Sequence, residues 1–141
     1  MLDTNSGLNR WAPQALAVLR IVAALIFLLH GSQKLFGFPP SGNPLPPMFS
    51  LFWIGAVIEL VGGILLILGL FTRPVAFVVA GEMAAAYWMF HAPKDLFPTN
   101  NGGDAAILYC FVFLLLVFTG PGAWSMDGAR AQSGPRPSWE R

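Results

Sequence analysis

Charged residues are scarce in this sequence, and their scarcity excludes several classes of protein. Only 11% of the 141 residues are Asp, Glu, Lys or Arg, and 55% are hydrophobic, whereas soluble domains average roughly 25% charged residues. The net charge of +1 gives no basis for binding nucleic acid or an acidic substrate. The composition is typical of a membrane protein, so the expected first partner is the lipid bilayer.

Cysteine and histidine are also scarce. Cys110 is the single cysteine, so the chain has no C-x-x-C motif and no intrinsic dithiol that could shuttle electrons. The two histidines, His30 and His91, lack the clustered spacing of metal ligands. A haem held by these two histidines is a weak alternative to a chain without a metal. We therefore expect no metal site.

The apolar segments lack the polar stripe that helices of a soluble four-helix protein present to water. Four of them are close to the roughly 17 to 25 residues that a membrane-spanning helix needs. They predict an all-α fold, an antiparallel bundle of four transmembrane helices in residues 14–120. The remaining residues form an N-terminal tail (1–13) and a polar C-terminal tail (121–141) without an evident folded element. The four predicted helices cover residues 14–35, 48–70, 74–90 and 104–120.

A cleavable signal peptide is the alternative for the first apolar segment. Arg20 inside its apolar core, and the absence of an A-x-A cleavage pattern, argue against that alternative.

The basic residues predict the orientation of the bundle. With four spans, Lys34 and Lys94 fall on one side of the membrane and the five remaining loop and tail arginines on the other. An excess of basic residues marks the cytoplasmic side, so we expect both termini in the cytoplasm of a multi-pass protein of the bacterial inner membrane. These five are Arg10, Arg73, Arg130, Arg136 and Arg141.

Carboxylates interrupt two of the apolar segments. Glu59 shares a helix face with Gly55, Gly62 and Gly69, within about 80° at 100° per residue, and small residues let neighbouring helices approach closely in lipid. Glu82 lies in the third segment, on a face next to the small-residue ridge of Ala76, Ala80 and Ala84. An ionisable group inside the membrane is a functional-site hypothesis by default, and a structural ion pair is the competing interpretation.

The first segment carries a basic face. Arg20 and Lys34 mark the two ends of this face, with His30 at its border. Arg20 lies too deep to reach the interface easily, so we expect it to pair with Glu59 or Glu82. Lys34 is close enough to the helix end to reach the interface. If the charges are structural, Lys34 pairs with Asp104, although Asp104 could equally satisfy free N–H groups at the start of the fourth helix.

The connection between the first two helices contains five prolines between Pro39 and Pro47 and cannot form a regular element. A stiff extended connection is the simpler interpretation of residues 38–47, and a lid is the alternative.

Four motifs, in this order and spacing, resemble the DoxX family of small four-helix bacterial membrane proteins. They are LRIVAALIFLLHGSQKLFGF, GAVIELVGGILLILGLFTRPVA, NGGDAAILY and GPGAWSMD, and they cover roughly residues 19–127. The resemblance implies a link to thiosulfate:quinone oxidoreductase and to membrane redox complexes. The matching positions are Arg20, Gly31, Lys34, Glu59, Gly62, Arg73, Gly103, Asp104, Gly120, Pro121 and Asp127.

Three classes of function remain open. In a quinone-linked redox module, Glu59 and Glu82 would relay protons, Arg20 would keep one of them ionised, and a quinone or a partner subunit would carry the electrons. In a noncatalytic membrane anchor or assembly partner, the same charges would be structural ion pairs. A small-solute or proton transporter is the third class. The predicted catalytic residues are Glu59, Glu82 and Arg20, and the predicted substrate-binding residues are His30, Lys34, His91 and Asp104.

Overall fold

A computed structural model describes residues 4–134, and all regular elements in this part of the chain are helical. The elements are α1 (Thr4–Asn9), α2 (Ala12–Phe36), α3 (Leu51–Leu68), α4 (Thr72–Ala86) continued by a π-helical turn (Tyr87–His91), α5 (Pro98–Asn101), α6 (Asp104–Thr119) and α7 (Met126–Ser133). The four long helices coincide in sequence with the four apolar segments.

Glycines end the first two long helices. Gly37 at the end of α2 has φ of +68°, and Gly69 at the end of α3 has φ of +63°, a left-handed conformation that side chains with a Cβ rarely adopt. At its start, α3 is capped by Ser50, whose hydroxyl accepts a hydrogen bond from the Trp53 N–H. Both α2, with 25 residues, and α3, with 18, are long and apolar enough to cross a membrane.

Small residues bring α2 and α3 into close antiparallel contact. A Cβ added to Gly31 would lie 2.7 Å from the Ala56 carbonyl oxygen, and one added to Gly63 would lie 2.7 Å from the Leu28 Cβ. Residues later in α2 therefore meet residues earlier in α3. Such close approach maximises van der Waals contact between helices whose outer surfaces are apolar.

The other long helices are also antiparallel to their neighbours. On α3, Gly62 meets Val79 of α4, and the earlier residue Gly55 meets the later residue Glu82. On α2, Phe27 packs edge-on against Phe113 of α6, with ring centroids 4.9 Å apart. Buried apolar side chains from all four helices form one core: Ala24, Phe27, Leu66, Ala76, Val79, Ala80, Met83, Ala106, Phe113 and Leu116.

The antiparallel order gives the molecule two distinct ends. The arginine end carries the start of α2, the α3–α4 turn and the end of α6, together with Arg10 and Arg73. The lysine end carries the end of α2 and the segment between α4 and α6, together with Lys34 and Lys94. Two of the five arginines used to predict orientation, Arg136 and Arg141, lie outside the described residues.

The expectation that residues 121–141 lack a folded element is wrong for the described part. Met126–Ser133 is helical and begins with a Ser125 side-chain cap to the Gly128 N–H. Two backbone hydrogen bonds join this helix and the segment before it to the arginine end, from the Ala123 N–H to the Pro13 carbonyl and from the Asp127 N–H to the Gly69 carbonyl. The polar composition of this segment does not reveal its fold, because the contacts that hold it are made with residues distant in the sequence.

The proline-rich connection, residues 38–47, is irregular and largely exposed. The Gln33 side chain donates a hydrogen bond to the Pro39 carbonyl at its start. None of these ten residues lines the cavity described below.

Candidate functional site

A cavity of about 580 Å³ lies toward the lysine end, between α2, α3, the end of α4 and the start of α6. Its walls are mostly apolar. Five of the seven predicted site residues line it, and they come from three separate stretches of the chain: Glu59, Glu82, His30, Lys34 and His91. Lys94 also lines the cavity, which thus brings together two carboxylates, two ammonium groups and two imidazoles among aliphatic and aromatic side chains.

An ion pair joins α2 and α3 at the cavity wall. Lys34 Nζ lies 2.7 Å from Glu59 Oε1. The Glu59 side chain is 4% exposed and that of Lys34 is 36% exposed, so the carboxylate is buried and the ammonium reaches it from a partly solvated position. The expected pairs were Lys34 with Asp104 and Arg20 with Glu59 or Glu82, and both expectations are wrong, because Lys34 pairs with Glu59 and the Arg20 donors bind backbone carbonyls.

The second carboxylate lies across the cavity on α4. Glu82 Oε1 lies 3.0 Å from the position that a Cβ on Gly55 would occupy, so the absence of a side chain at Gly55 leaves room for the carboxyl group. Glu82 Oε2 is buried, as is Glu59 Oε2, and neither atom has a hydrogen-bond partner within the described residues. The two acids face the same space without donors for these oxygens.

Arg20 lies outside the cavity and is fully buried, with 0% of its surface exposed. Its Nη1 donates to the carbonyls of Leu66 and Ile67, at 2.6 and 2.8 Å, where α3 ends. The other donors reach carbonyls in the segment after α6: Nε donates to Pro121 at 2.8 Å, and Nη2 to Ala123 and Trp124 at 3.1 and 2.9 Å.

These five carbonyls replace the carboxylate that the sequence predicted for Arg20. Guanidinium has five N–H donors in a fixed plane, and helix ends leave free carbonyl oxygens that need donors. Arg20 satisfies both requirements by binding the end of α3 to the C-terminal segment. This geometry gives Arg20 a structural part and no access to the cavity that holds the two acids.

Asp104 is exposed at the start of α6, where its Oδ1 accepts a hydrogen bond from the Ala105 N–H at 2.9 Å. It does not line the cavity. The N-terminal helix position explains this acid, because carboxylates are favourable beside the free N–H groups of a first turn.

Both histidines at the cavity are oriented by backbone carbonyls. His30 Nδ1 lies 2.9 Å from the Ile26 carbonyl oxygen, and His91 Nδ1 lies 3.1 Å from that of Asn101. Because a carbonyl can only accept, each Nδ1 carries the proton in this arrangement. Within residues 4–134, no three His, Cys, Asp or Glu side chains cluster as metal ligands would.

Tyr109 is a cavity residue that the sequence analysis did not single out. Its ring stacks on Phe113, with centroids 5.7 Å apart, and lies 5.5 Å from Phe27 and 5.9 Å from His30. The i, i+3 and i, i+4 spacing of Ala106, Tyr109 and Phe113 was the available signal, since it marks one helix face.

Two further contacts close the arginine end. The Asp127 carboxylate accepts hydrogen bonds from the N–H groups of Phe71 and Thr72, at 2.9 and 2.8 Å, where α4 begins. Burial raises the pKa of Asp127, but these bonds and the charge of Arg130 outweigh it, so the pKa is lowered overall. Arg73 Nη1 donates to the carbonyls of Val117 and Phe118 at the end of α6, each at 2.7 Å.

Comparisons with known proteins identify a family and several relatives of this chain. The family model DoxX matches residues 15–92. The chain is 44% identical over 133 residues to an uncharacterized protein of Haemophilus influenzae. The aligned part covers 86% of this chain and 95% of that protein. No solved structure matches the chain significantly.

Two relatives from Escherichia coli carry a location in their names. The chain is 32% identical over 127 residues to inner membrane protein YphA, covering 82% of this chain and 89% of that protein. It is 31% identical over 124 residues to inner membrane protein YqjF, covering 78% and 87%. The chain belongs to the DoxX family and is a protein of the bacterial inner membrane.

Proposed function

We propose that the chain crosses the membrane four times, with both termini in the cytoplasm. The pairwise antiparallel contacts support this arrangement, as do the lengths of α2, α3 and the third long helix. Thr72–Ala86 and its π-helical continuation to His91 have 15 and 5 residues, together about 30 Å at 1.5 Å per residue. Arg10, Arg73 and Arg130 would then lie on the cytoplasmic side, in agreement with the positive-inside rule.

Thiol labelling of intact cells tests this topology. In a Cys110→Ala background, a cysteine at Ser41 should react with a membrane-impermeant maleimide in spheroplasts. A cysteine at Ser133 should react only after the membrane is permeabilised. The reverse pattern, or equal labelling of both, would overturn the proposed orientation.

We propose that the cavity binds a quinone-class molecule and that the chain serves as a proton-exchanging module of a membrane oxidoreductase complex. The observation that carries this proposal is the meeting of Glu59, Glu82 and Lys34 in one apolar cavity. Its volume of about 580 Å³ lies within the roughly 300 to 1,000 Å³ typical of small-molecule sites. Aromatic walls, including Phe52, Phe90 and Tyr109, suit a flat ring.

The carboxyl groups can supply the protons that the reduction of a quinone requires. Reduction of a quinone to its hydroquinone takes two electrons and two protons, one proton for each ring oxygen. Glu59 and Glu82 can give and take protons inside the membrane, where water is scarce. The electrons would come from a partner subunit that holds a flavin or a haem, because quinone reduction needs an electron carrier beside the acids.

Copurification and binding measurements test this function. Protein purified in mild detergent should yield extractable quinone by mass spectrometry, together with any partner subunit. Substituting Ala86→Phe should reduce the bound quinone, because Ala86 lines the cavity. The matched change Ala129→Phe, on the exposed side of α7, should leave the bound quinone unchanged. If no quinone is extracted and none binds when added, the redox function is excluded.

The second candidate is a noncatalytic membrane partner. It is favoured by Arg20, which uses its donors on five backbone carbonyls and so has a structural explanation without any reaction. Glu59→Gln separates the two candidates. Loss of quinone-linked activity in a folded protein supports the redox module, and loss of the folded protein supports a structural ion pair.

A further inference from the structure

An apolar groove lies on the outer surface of α3 and α4, outside the proposed quinone cavity. It has a volume of about 390 Å³ and is lined by valine, isoleucine, leucine, glycine and proline from residues 57–65 of α3 and 74–79 of α4. Val61 and Val78 are exposed, at 49% and 53%, so the groove is open to the surroundings of the bundle. In a membrane these surroundings are lipid.

The groove continues the cavity along the same two helices. Ile58 lines both. On α3 the groove extends from the cavity as far as Leu65, and on α4 it ends at Val79, close before Glu82 of the cavity. Residues three or four apart share a helix face, so each helix presents one continuous face to the cavity and the groove. From Leu51 of the cavity to Leu65 this face is about 21 Å long, at 1.5 Å per residue.

Polarity changes along this continuous face. The cavity part holds the carboxyl groups of Glu59 and Glu82, whereas the groove part has no charged or hydrogen-bonding side chain among the described residues. On the α2 side of the cavity, His30 is exposed and Lys34 is partly exposed. An apolar chain placed there would separate these polar groups from water, which is unfavourable. The apolar extension of a bound molecule therefore matches the path along α3 and α4.

We infer that the groove holds the apolar tail of the molecule whose head group lies in the cavity. Resting on the proposed function, the ligand is then a long-tailed quinone whose ring lies between Glu59 and Glu82 and whose tail points toward the arginine end. Because lipid is itself apolar, the groove offers the tail closer packing rather than removal from water. The groove thus selects the length of the tail, and the cavity selects the ring.

Binding of analogues that differ only in the tail tests the inference. The full-length protein, in nanodiscs of phosphatidylethanolamine and phosphatidylglycerol, is titrated with decylubiquinone and with the same ring carrying an ethyl group instead of the decyl tail. Concentrations are expressed per lipid, after partition into empty nanodiscs has been measured, because a longer tail also partitions more strongly into lipid. We expect decylubiquinone to bind about tenfold more tightly, since roughly ten additional carbon–carbon contacts account for that ratio.

Val61→Phe places a larger side chain in the groove. It should remove most of the preference for the decyl tail and leave binding of the ethyl analogue unchanged, which also shows that the variant is folded. Val22→Phe is the matched control, because Val22 on α2 is also 49% exposed and lines neither the cavity nor the groove. Val22→Phe should keep the full preference.

Photolabelling of the parent protein locates the tail directly. A decylubiquinone analogue with a diazirine at the end of its tail should label residues within 57–65 and 74–79, identified by mass spectrometry of peptides. Excess ethyl analogue, which occupies the cavity and not the groove, should suppress this labelling. Labelling elsewhere, or labelling that resists the competitor, would show that the groove is an ordinary crevice filled by membrane lipid and would overturn the inference.

The outcomes separate the inference from the proposed function. Equal binding of the two analogues, or an unchanged preference in Val61→Phe, overturns the tail site and leaves the quinone function standing. Failure of both analogues to bind overturns the proposed function and the inference with it.

Discussion

Lys34 and Glu59 form a direct ion pair, with Nζ and Oε1 separated by 2.7 Å, across the contact between α2 and α3. The contact is made just where Gly31 lets the two backbones approach, since a Cβ there would touch both Ala56 and Leu60 of α3. The close approach shortens the distance that the long lysine side chain must span. Small-residue packing and charge pairing are therefore parts of one helix interface.

Removing the lysine should destabilise the protein more than removing both charges. Lys34→Met leaves buried Glu59 without its counter-ion, and we expect a loss of about 1 to 3 kcal/mol, below the value for fully buried pairs because Lys34 is 36% exposed. The double variant Lys34→Met with Glu59→Gln should recover part of this loss. Thermal unfolding in detergent measures both, with Lys94→Met as the control. Equal unfolding temperatures for all variants would contradict the pairing.

Arg20→Lys should destabilise strongly despite keeping the charge. Lysine offers three donors from one atom and cannot reach five carbonyls arranged around a planar guanidinium, so at least two hydrogen bonds are lost. We expect about 3 kcal/mol of lost stability, given roughly 1.5 kcal/mol for each bond to a charged donor. Arg10→Lys, at an exposed position, should change stability by less than about 0.5 kcal/mol. If Arg20→Lys folds normally but stops binding ligand, the structural assignment fails.

The sequence predicted which residues turn inward better than it predicted their partners. A period of 100° per residue placed Glu59 on the small-residue face of its helix, and Lys34 on the same face as Arg20. Those faces depend only on local geometry. Pairing depends on which helices are neighbours and on the relative depth of their residues, and neither can be read from one helix at a time.

Arg20 shows a second limit of the sequence. Its partners are backbone carbonyls, which every residue has, so no pattern of side chains reports them. The C-terminal segment escaped prediction for the same reason, because it is held by Arg20 and by backbone contacts to Pro13 and Gly69. By contrast, long apolar runs were sufficient to locate the four long helices.

Gly31→Ala should weaken the contact between α2 and α3. The added methyl group would lie 2.7 Å from backbone atoms of both Ala56 and Leu60, and backbone cannot move aside as a side-chain end can. We expect a loss of about 1 to 3 kcal/mol from overpacking. Gly81→Ala is the matched control, because nothing lies within 4 Å of its added Cβ and alanine favours the helix. Chemical denaturation of the two variants in mixed micelles compares them, and equal stability would exclude backbone contact at Gly31.

Asp127 should give the protein an acid-sensitive contribution to stability. Its carboxylate accepts two N–H bonds at the start of α4, and its pKa lies below the ordinary value of 3.8. A lowered pKa in the folded state means that the ionised form stabilises the fold. That contribution is complete above the unfolded pKa and disappears as the pH falls through the folded one.

Asp127→Asn keeps an acceptor but loses the charge, so it should be about 1 kcal/mol less stable at pH 7. The difference from the parent protein should shrink as the pH falls below 3.8. Unfolding measured between neutral pH and strong acid checks this convergence, and two curves that stay parallel throughout would show that the carboxylate charge does not stabilise the start of α4.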